Sequence, residues 1–438
     1  MGRKIKEIVC KFGGSSLADA TRVMQVARIV CGSPARFVVV SAPGKRDKQD
    51  IKITDVLLSC YKKAEAKENF DKEFNLFANR MKELDKELGT SIGIDKLLNN
   101  FYEEIRSGVS ESYVASRGEY FSAQIISKYL GYKFLDAKDF ITFDKQGKVD
   151  LEISRIKFAS ITNSWDKYVI PGFYGADVNG NIKIFSRGGS DITGAVVAVL
   201  CGAKIYQNWT DVDGFLQCDP RFSKNPKLIA KISYAELREL SYAGANVLHP
   251  DCTRFLRENN IVLNLRNTFN PNCKGSFIMP KCKQKKLTGI AGQKGFCIIS
   301  FEKFNINSSL GFVSEIYNIF AQNGVGVEHI PTGIDNISVV VRQSDITEEK
   351  LSKIGEQITQ KWTLDRISVV REVALVSVVG AMLNQKAERK VMEQIYSLGT
   401  KVFMLNKSTQ AMSIIFAFPQ KDFEKVLGTL HKNLFCDK

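Results

Sequence analysis

One stretch constrains the fold more than any other: Phe185 to Arg221, FSRGGSDITGAVVAVLCGAKIYQNWTDVDGFLQCDPR. A short apolar strand, Ile182 to Phe185, reaches Arg187, then Gly188 and Gly189, then Ser190 and Asp191. A helix opens at once and runs through Ala195 to Leu200. Gly202 stops it, and a strand from Lys204 to Asn208 leads into Thr210 and Asp211. Glycines after a strand let the backbone approach a ligand closely, and the first turn of the helix offers unpaired N–H groups to an anion. An Arg and an Asp at opposite ends of one turn suit a zwitterion, guanidinium for its carboxylate and carboxylate for its ammonium. The plainer alternative is a tight turn with solvated charges.

The chain opens in the same grammar. Ile8 to Phe12 reads as a strand, Gly13-Gly14-Ser15-Ser16 as a turn, and Ala20, Val23, Met24, Ala27 and Val30 as the apolar face of a helix. Arg36 to Val40 is the next strand. Strand, helix, strand argues for a parallel sheet with helices on both faces. Lys11 precedes the glycine turn, and a Lys beside exposed backbone N–H groups is one way to hold phosphate; a structural lysine at a strand end is the alternative. Neither GxxxxGK[ST] nor GxGxxG occurs. Ser41 to Gly44 ends the second strand, residues 45–52 form a basic loop, and Thr54-Asp55 starts a helix.

From Tyr61 to about Ser110 the chain is charged and helix-forming. Phe70, Phe74, Phe77, Met81, Leu84 and Leu88 form one stripe that Gly89 ends, which reads as packing without chemistry. Ser116-Arg117-Gly118-Glu119 is expected to open the next helix, where the dipole alone favours an acidic residue. Val169 to Phe173 is a strand entering a glycine turn. Thr210 to Gly214 and Asp219-Pro220-Arg221 are acidic turns of the kind that border a nucleotide and its Mg²⁺. The run from Ala243 to Pro250 caps a further helix, and Ile261 to Leu265 is a strand.

The last third repeats itself. At one fixed offset Gly324 matches Gly399, Ser338 matches Ser413, and the helix Ile316 to Phe320 matches Val391 to Ile395. With the flanking strands this gives two βαββαβ units, which commonly bind ligands where they meet or serve only as an oligomer interface. The 438 residues allow two or three domains, and no apolar run is long enough to cross a bilayer. The net charge of +15 is spread over the chain apart from KCKQKK at 281–286, which reads as a solvated linker rather than a nucleic-acid patch. Ten cysteines without a CxxC pair indicate reduced thiols and no zinc site. With only three histidines, the chemistry is expected to avoid His as its base. The expected location is cytoplasmic, with neither a membrane nor a nucleic-acid partner.

KFGGSS, SRGE, FSRGGSD, WTDVDGFLQCDPR, GANVLHP and LRNTFNP occur in the order found in the monofunctional aspartate kinases, which the sequence resembles over nearly its whole length. The resemblance implies an α/β amino-acid kinase (carbamate kinase-like) sandwich with a mostly parallel central sheet, followed by two ferredoxin-like ACT domains. The implied boundaries are 1–283 for the catalytic domain with a helical insertion at 60–112, 304–371 for the first ACT domain and 372–438 for the second. Residues 287–303 would lend the second a strand, and the sequence leaves open whether that strand is its first. The implied reaction transfers the γ-phosphate of ATP, with Mg²⁺, to the side-chain carboxylate of L-aspartate, giving 4-phospho-L-aspartate at the head of lysine, threonine and methionine synthesis.

By resemblance, Lys11, Gly13, Gly14 and Ser15 hold the ATP phosphates, and Thr210, Asp211, Leu216, Arg221, Asn246 and Val247 contact the nucleotide. Leu216 stands where the family often has Tyr, and Asn246 where it usually has Lys. Ser41, Thr54 and Glu119 line the aspartate site; Arg187 takes the α-carboxylate, and Gly188, Gly189, Ser190 and Asp191 complete the turn. Lys11, Arg187 and Asp191 carry the catalytic roles. An end-product amino acid, lysine before threonine, would bind the ACT pair at Asn307, Ser309, Phe312, Val313, Val327, Glu328 and Thr332, with Glu328 facing its ammonium. A homo-oligomer, dimer or tetramer, would form through the ACT domains. The competing readings are another amino-acid kinase, acting on glutamate or a nucleoside monophosphate, and a non-catalytic amino-acid sensor.

Overall fold

The computed structural model describes residues 7–185, 188–245, 248–282, 287–306, 309–380, 385–407 and 412–436. The chain divides into two compact units, residues 1–215, 230–234 and 247–282 in the first, and 216–229, 235–246 and 283–438 in the second.

The first unit begins with β1 (Ile8–Phe12), α1 (Ala20–Cys31) and β2 (Ala35–Val40). Four helices follow: α2 (Ile53–Glu65), α3 (Asp71–Leu88), α4 (Ile94–Arg106) and α5 (Glu111–Leu130). Next come β3 (Lys133–Phe134), β4 (Thr142–Phe143), α6 (Leu151–Ile161), β5 (Tyr168–Pro171), β6 (Tyr174–Asp177), β7 (Ile182–Ile184), α7 (Gly189–Leu200) and β8 (Ile205–Thr210). After β9 (Lys231–Ser233), helix α8 (Tyr234–Tyr242) belongs almost wholly to the second unit, and α9 (Pro250–Glu258), β10 (Val262–Asn267) and β11 (Ser276–Met279) return to the first.

Eight strands form one sheet in the order β3-β5-β2-β1-β8-β10-β11-β9, parallel except where β10 meets β11. β1 and β2 are apolar without alternation (Val9, Cys10 and Phe12; Phe37 to Val40 all buried), as a sheet covered on both faces requires. Asp19 caps α1 by accepting from the Arg22 N–H, and Val23, Val26 and Val30 face the core. The aromatic stripe of α3 is buried from Phe74 to Leu88, and Gly89, at φ 63°, ends the helix in the left-handed region.

The N-terminus of α5 is a correction. Its cap is Ser110, whose side chain accepts from the Tyr113 N–H, so the helix begins before the SRGE motif. Ser116 to Glu119 lie mid-helix and all four are buried. The dipole argument for Glu119 therefore fails, and its carboxyl group faces burial instead.

The second unit contains β12 (Leu287–Glu302), α10 (Phe312–Gln322), β13 (Val327–His329), β14 (Asn336–Arg342), α11 (Glu348–Lys361), β15 (Arg366–Gly380), α12 (Gln385–Ser397), β16 (Met404–Asn406), β17 (Ser413–Pro419) and α13 (Phe423–Phe435). Its six strands are antiparallel, in the order β13-β14-β12-β15-β17-β16. β12 serves both repeats. Its later half pairs with β14 (Ile299↔Val339), its earlier half with the later half of β15 (Ile290↔Val378). Since β15 opens the second repeat, the early half of β12 takes the last strand position there, not the first. The repeats close alike: Gln420 accepts from the Gly295 N–H at 2.8 Å, and Gln343 accepts from the Glu372 N–H at 2.9 Å. Helices α10 to α13 cover one face of the sheet. The opposite side chains, by strand alternation, include Phe296, Leu375, Ser377, Ser413 and Ile415. There Glu239 of α8 accepts from the Ser413 hydroxyl at 2.6 Å, and Glu236 from Thr288.

Candidate active site

β1 lies at the centre of the parallel sheet. The chain leaves it for β2 on one side and later returns to its other side as β8. Ligands of open α/β sheets bind at such a reversal, beyond the carboxyl ends of the strands. Lys11 sits there, almost wholly buried, with its Nζ 2.6 Å from Asp191 Oδ1 in the first turn of α7. Asn208, opposite Lys11 in the β1–β8 register, donates from Nδ2 to the same Oδ1 at 2.9 Å.

Two turns close on this centre. A Cβ on Gly13 would come 3.4 Å from Lys11 Nζ, and the Gly13 N–H donates to the Trp209 carbonyl at 3.1 Å. Gly14 and Gly44 meet main chain to main chain, the Gly44 N–H donating to the Gly14 carbonyl at 2.8 Å. A Cβ on Gly44 would fall 2.5 Å from the Gly14 carbonyl carbon, so the turn after β2 cannot carry a side chain there. Gly188 ends the β7–α7 connection at φ 78°, with His249 Cβ where its own Cβ would be. Ser190 packs against Gly172. Ser41, half-buried, donates its N–H to the Phe12 carbonyl at 3.2 Å, and Thr54, half-buried, lies in the first turn of α2.

Glu119 is buried, and its Oε2 has no hydrogen-bond partner. Burial pushes its carboxyl group from an ordinary 4.5 up to about 8, against the pull of the Ala42 amide and of the Arg117 and Lys11 charges. Gly118 permits this depth, since a Cβ there would lie 2.9 Å from Ala42 Cβ.

The sequence reading missed Arg80. It lies within the α3 stripe assigned to packing alone, yet it is 5% exposed and reaches the site. Nη2 donates to the Gly44 carbonyl at 2.7 Å and the Ala18 carbonyl at 2.9 Å, and Nη1 pairs with Asp50 at 2.8 Å. One guanidinium thus holds the turn after β2, the turn before α1 and the basic loop. An arginine between Phe77 and Leu84 on an apolar face was the available signal.

The amino acid kinase family model matches residues 6–267. Aspartokinase 3 of Bacillus subtilis is 31% identical over 453 residues, covering 98% of each chain. The crystal structure of Clostridium acetobutylicum aspartate kinase, described as an allosteric enzyme, is 38% identical with a TM-score of 0.91, covering 98% of this chain and 100% of that one. The chain belongs to the aspartokinases. Escherichia coli aspartokinase III, in complex with lysine and aspartate, shares the fold (TM-score 0.77, 22% identity, 99% of this chain and 100% of that one). The activity of this aspartokinase chain is that of an ATP-dependent kinase with aspartate as acceptor.

Of the residues the resemblance assigned, the structure brings Lys11, Gly13, Gly14 and Asp191 together around β1 and α7. Ser15 lies in the 3₁₀ turn after them. Arg187, Asn246, Val247 and Asn307 lie outside the described residues. The Thr210 hydroxyl donates to the exposed Asp211 at 3.2 Å. Asp213 accepts from Asn267 and Asn270, which ties its turn to the end of β10 and the segment after it. Leu216 bridges to Leu228.

Three of the assigned residues have partners within the protein. Arg221 directs its guanidinium onto Asp219, with Nη2 to Oδ2 at 2.6 Å, so its charge is already neutralised locally. Phe312 is 1% exposed and packs on Trp362, which makes it core and not pocket lining. Glu328 accepts from Arg342 Nε at 3.0 Å and from the Tyr242 hydroxyl, so both its oxygens are taken by the protein. Ser309 and Val313 flank the start of α10, Val327 shares β13 with Glu328, and Thr332 lies exposed beyond it.

Proposed function

We propose that the Lys11–Asp191 centre binds ATP and L-aspartate side by side and transfers the γ-phosphoryl group to the side-chain carboxylate, giving 4-phospho-L-aspartate and ADP. The observation that carries this reading is the buried lysine at the strand reversal, with two glycine turns closing on it. Lys11, with the Gly13, Gly14 and Ser15 turn, holds the phosphates; Thr210 and Asp211 lie toward the nucleotide. Leu216, Arg221, Asn246 and Val247 complete the nucleotide contacts, Arg221 leaving Asp219 to serve. Ser41, Thr54, Glu119 and the Gly188-to-Asp191 turn receive the amino acid, with Arg187 on its α-carboxylate.

The acceptor is a carboxylate, ionised at neutral pH, so no general base is required. The residues then act by alignment and by cancelling charge on the transferring group. Among the described residues no three His, Cys, Asp or Glu side chains converge on a metal position. Mg²⁺ keeps its waters and binds through phosphates with one or two carboxylates; bound with ATP, it would neutralise phosphate charge.

The domain limits proposed are 1–283 for the catalytic domain, with its insertion at 60–112, and 304–371 and 372–438 for the paired regulatory domains. Lysine is the proposed inhibitor, with threonine second, and Ser309, Val313, Val327 and Thr332 remain its candidate contacts together with Asn307. The proposed assembly is a dimer or tetramer through these domains. The test is ADP release with aspartate, with glutamate and with no acceptor, and hydroxylamine trapping of the acyl phosphate. Aspartate-dependent release with a trapped product is expected. Release with glutamate alone would indicate the sister kinase, and binding without release a sensor.

A further inference from the structure

We propose that Asn208 is a positioning residue of the kinase reaction: its amide keeps Asp191 paired while Lys11 leaves it for the transferring phosphoryl group. The proposal rests on the reading of Lys11 given above. Asp191 Oδ1 has two donors, Lys11 Nζ at 2.6 Å and Asn208 Nδ2 at 2.9 Å. Asn208 is 2% exposed and cannot turn to water. It stands beside Lys11 in the parallel register, so the two side chains converge on one oxygen from adjacent strands.

The second contact of β8 with α7 fixes the geometry. Tyr206, two residues earlier and on the same face, packs its ring where a Cβ of Gly194 would be, at 2.6 Å. Its hydroxyl donates to the Asp191 carbonyl at 3.3 Å. Tyr206 therefore sets the backbone of Asp191, and Asn208 sets its carboxylate. A lysine that neutralises phosphate charge must release the carboxylate it rests on. Breaking a buried ion pair is costly chiefly because it strands a charge without a partner. A neutral donor already bonded to the same oxygen lowers that cost without competing for the phosphate. It also leaves Asp191 Oδ2 free to receive a ligand ammonium.

The test uses the full chain and compares Asn208→Leu with the near-isosteric Asn208→Asp. Steady-state rates are measured from pH 6 to pH 9, alongside thermal stability. Loss of the donor is expected to lower kcat on the order of 10- to 100-fold at pH 8, with KM for ATP within about threefold of wild type. Asn208→Asp is expected to match Asn208→Leu at pH 8 but to recover toward wild type as pH falls. An aspartic acid that has taken up a proton donates to Asp191 as the amide does, and paired carboxylates hold such a proton readily. Asn208→Leu has no such recovery. Two results would overturn the proposal: Asn208→Leu within about twofold of wild type, or the same pH-independent fractional loss in both variants. Wild-type turnover in the same assay reports on the kinase reading, and the variant-to-wild-type ratio on this one.

Discussion

Glu119 gives the aspartate site a proton to release. Its carboxyl group is raised from 4.5 to about 8 because it is buried, with Oε2 lacking a hydrogen bond. At pH 7 only about a tenth of the unliganded protein carries it ionised, and a ligand ammonium beside it favours the ionised form. Binding of L-aspartate at pH 7 should then release about 0.9 proton, and affinity should rise about tenfold per pH unit from pH 6 toward pH 8. Stability runs the other way. The folded-state value lies above the unfolded one, so the folded chain holds the extra proton between these two values and loses stability as pH rises through that window. At about 1.4 kcal/mol per pH unit the full loss is on the order of 5 kcal/mol, complete above about pH 8 and absent below about pH 4. Glu119→Gln has no proton to lose. Calorimetric titration of L-aspartate in two buffers of different ionisation enthalpy counts the proton, and pH-dependent melting compares the variant with wild type. The reasoning fails if aspartate binds without proton release, or if Glu119→Gln keeps the wild-type fall in stability between pH 5 and pH 8.

Lys11→Ala should lower kcat by ~10²–10³-fold, the usual loss of one charge-stabilising donor, and near-normal turnover would remove Lys11 from the mechanism. Gly118→Ala places a methyl group 2.9 Å from Ala42 Cβ and 3.2 Å from Ile53 Cγ2; denaturant unfolding should show a loss of about 1–3 kcal/mol. Tyr242→Phe removes one of the two donors to Glu328. It should move the half-inhibitory lysine concentration roughly fivefold with little change in kcat, and an unmoved inhibition curve would separate that contact from feedback.

The parallel sheet was legible because its strands are short and apolar and its turns carry glycines: β1, β2, α7 and β8 lie within a residue or two of where the pattern places them. The repeat was legible for the same reason, since the glycines at 324 and 399 each end a helix with φ near 65°. What the pattern concealed is tertiary. Ser110 and Ser116 are both plausible helix caps, and only the Tyr113 N–H bonded to Ser110 decides between them. Arg80 sits on a stripe whose period announces packing, and its reach to Gly44 depends on where α3 lies against β2 and the turns after it. Glu328 reads as a free carboxylate until Tyr242, far off in sequence, is found bonded to it. Polar side chains bonded across long sequence separations leave no local trace, and the site is built largely of them.

The scarcity of histidine now has a structural counterpart. His249 accepts from the Asp251 N–H at the start of α9, and burial lowers the proton affinity of His329 and of His431. Around β1, Lys11 is paired with Asp191 and Glu119 is held largely uncharged near neutral pH. These three groups together therefore carry little net charge, which is how they can share a buried place without large desolvation losses. ATP and aspartate bring the charge with them. As they arrive, Lys11 turns to phosphate, Asn208 keeps Asp191 bonded, and Glu119 gives up its proton beside the incoming ammonium. Each charge then appears next to an opposite one. On this account the pH dependence of aspartate binding below pH 8 follows a carboxyl group with a raised pKa and not an imidazole, and Glu119→Gln should flatten it while substitution of His249 leaves it in place.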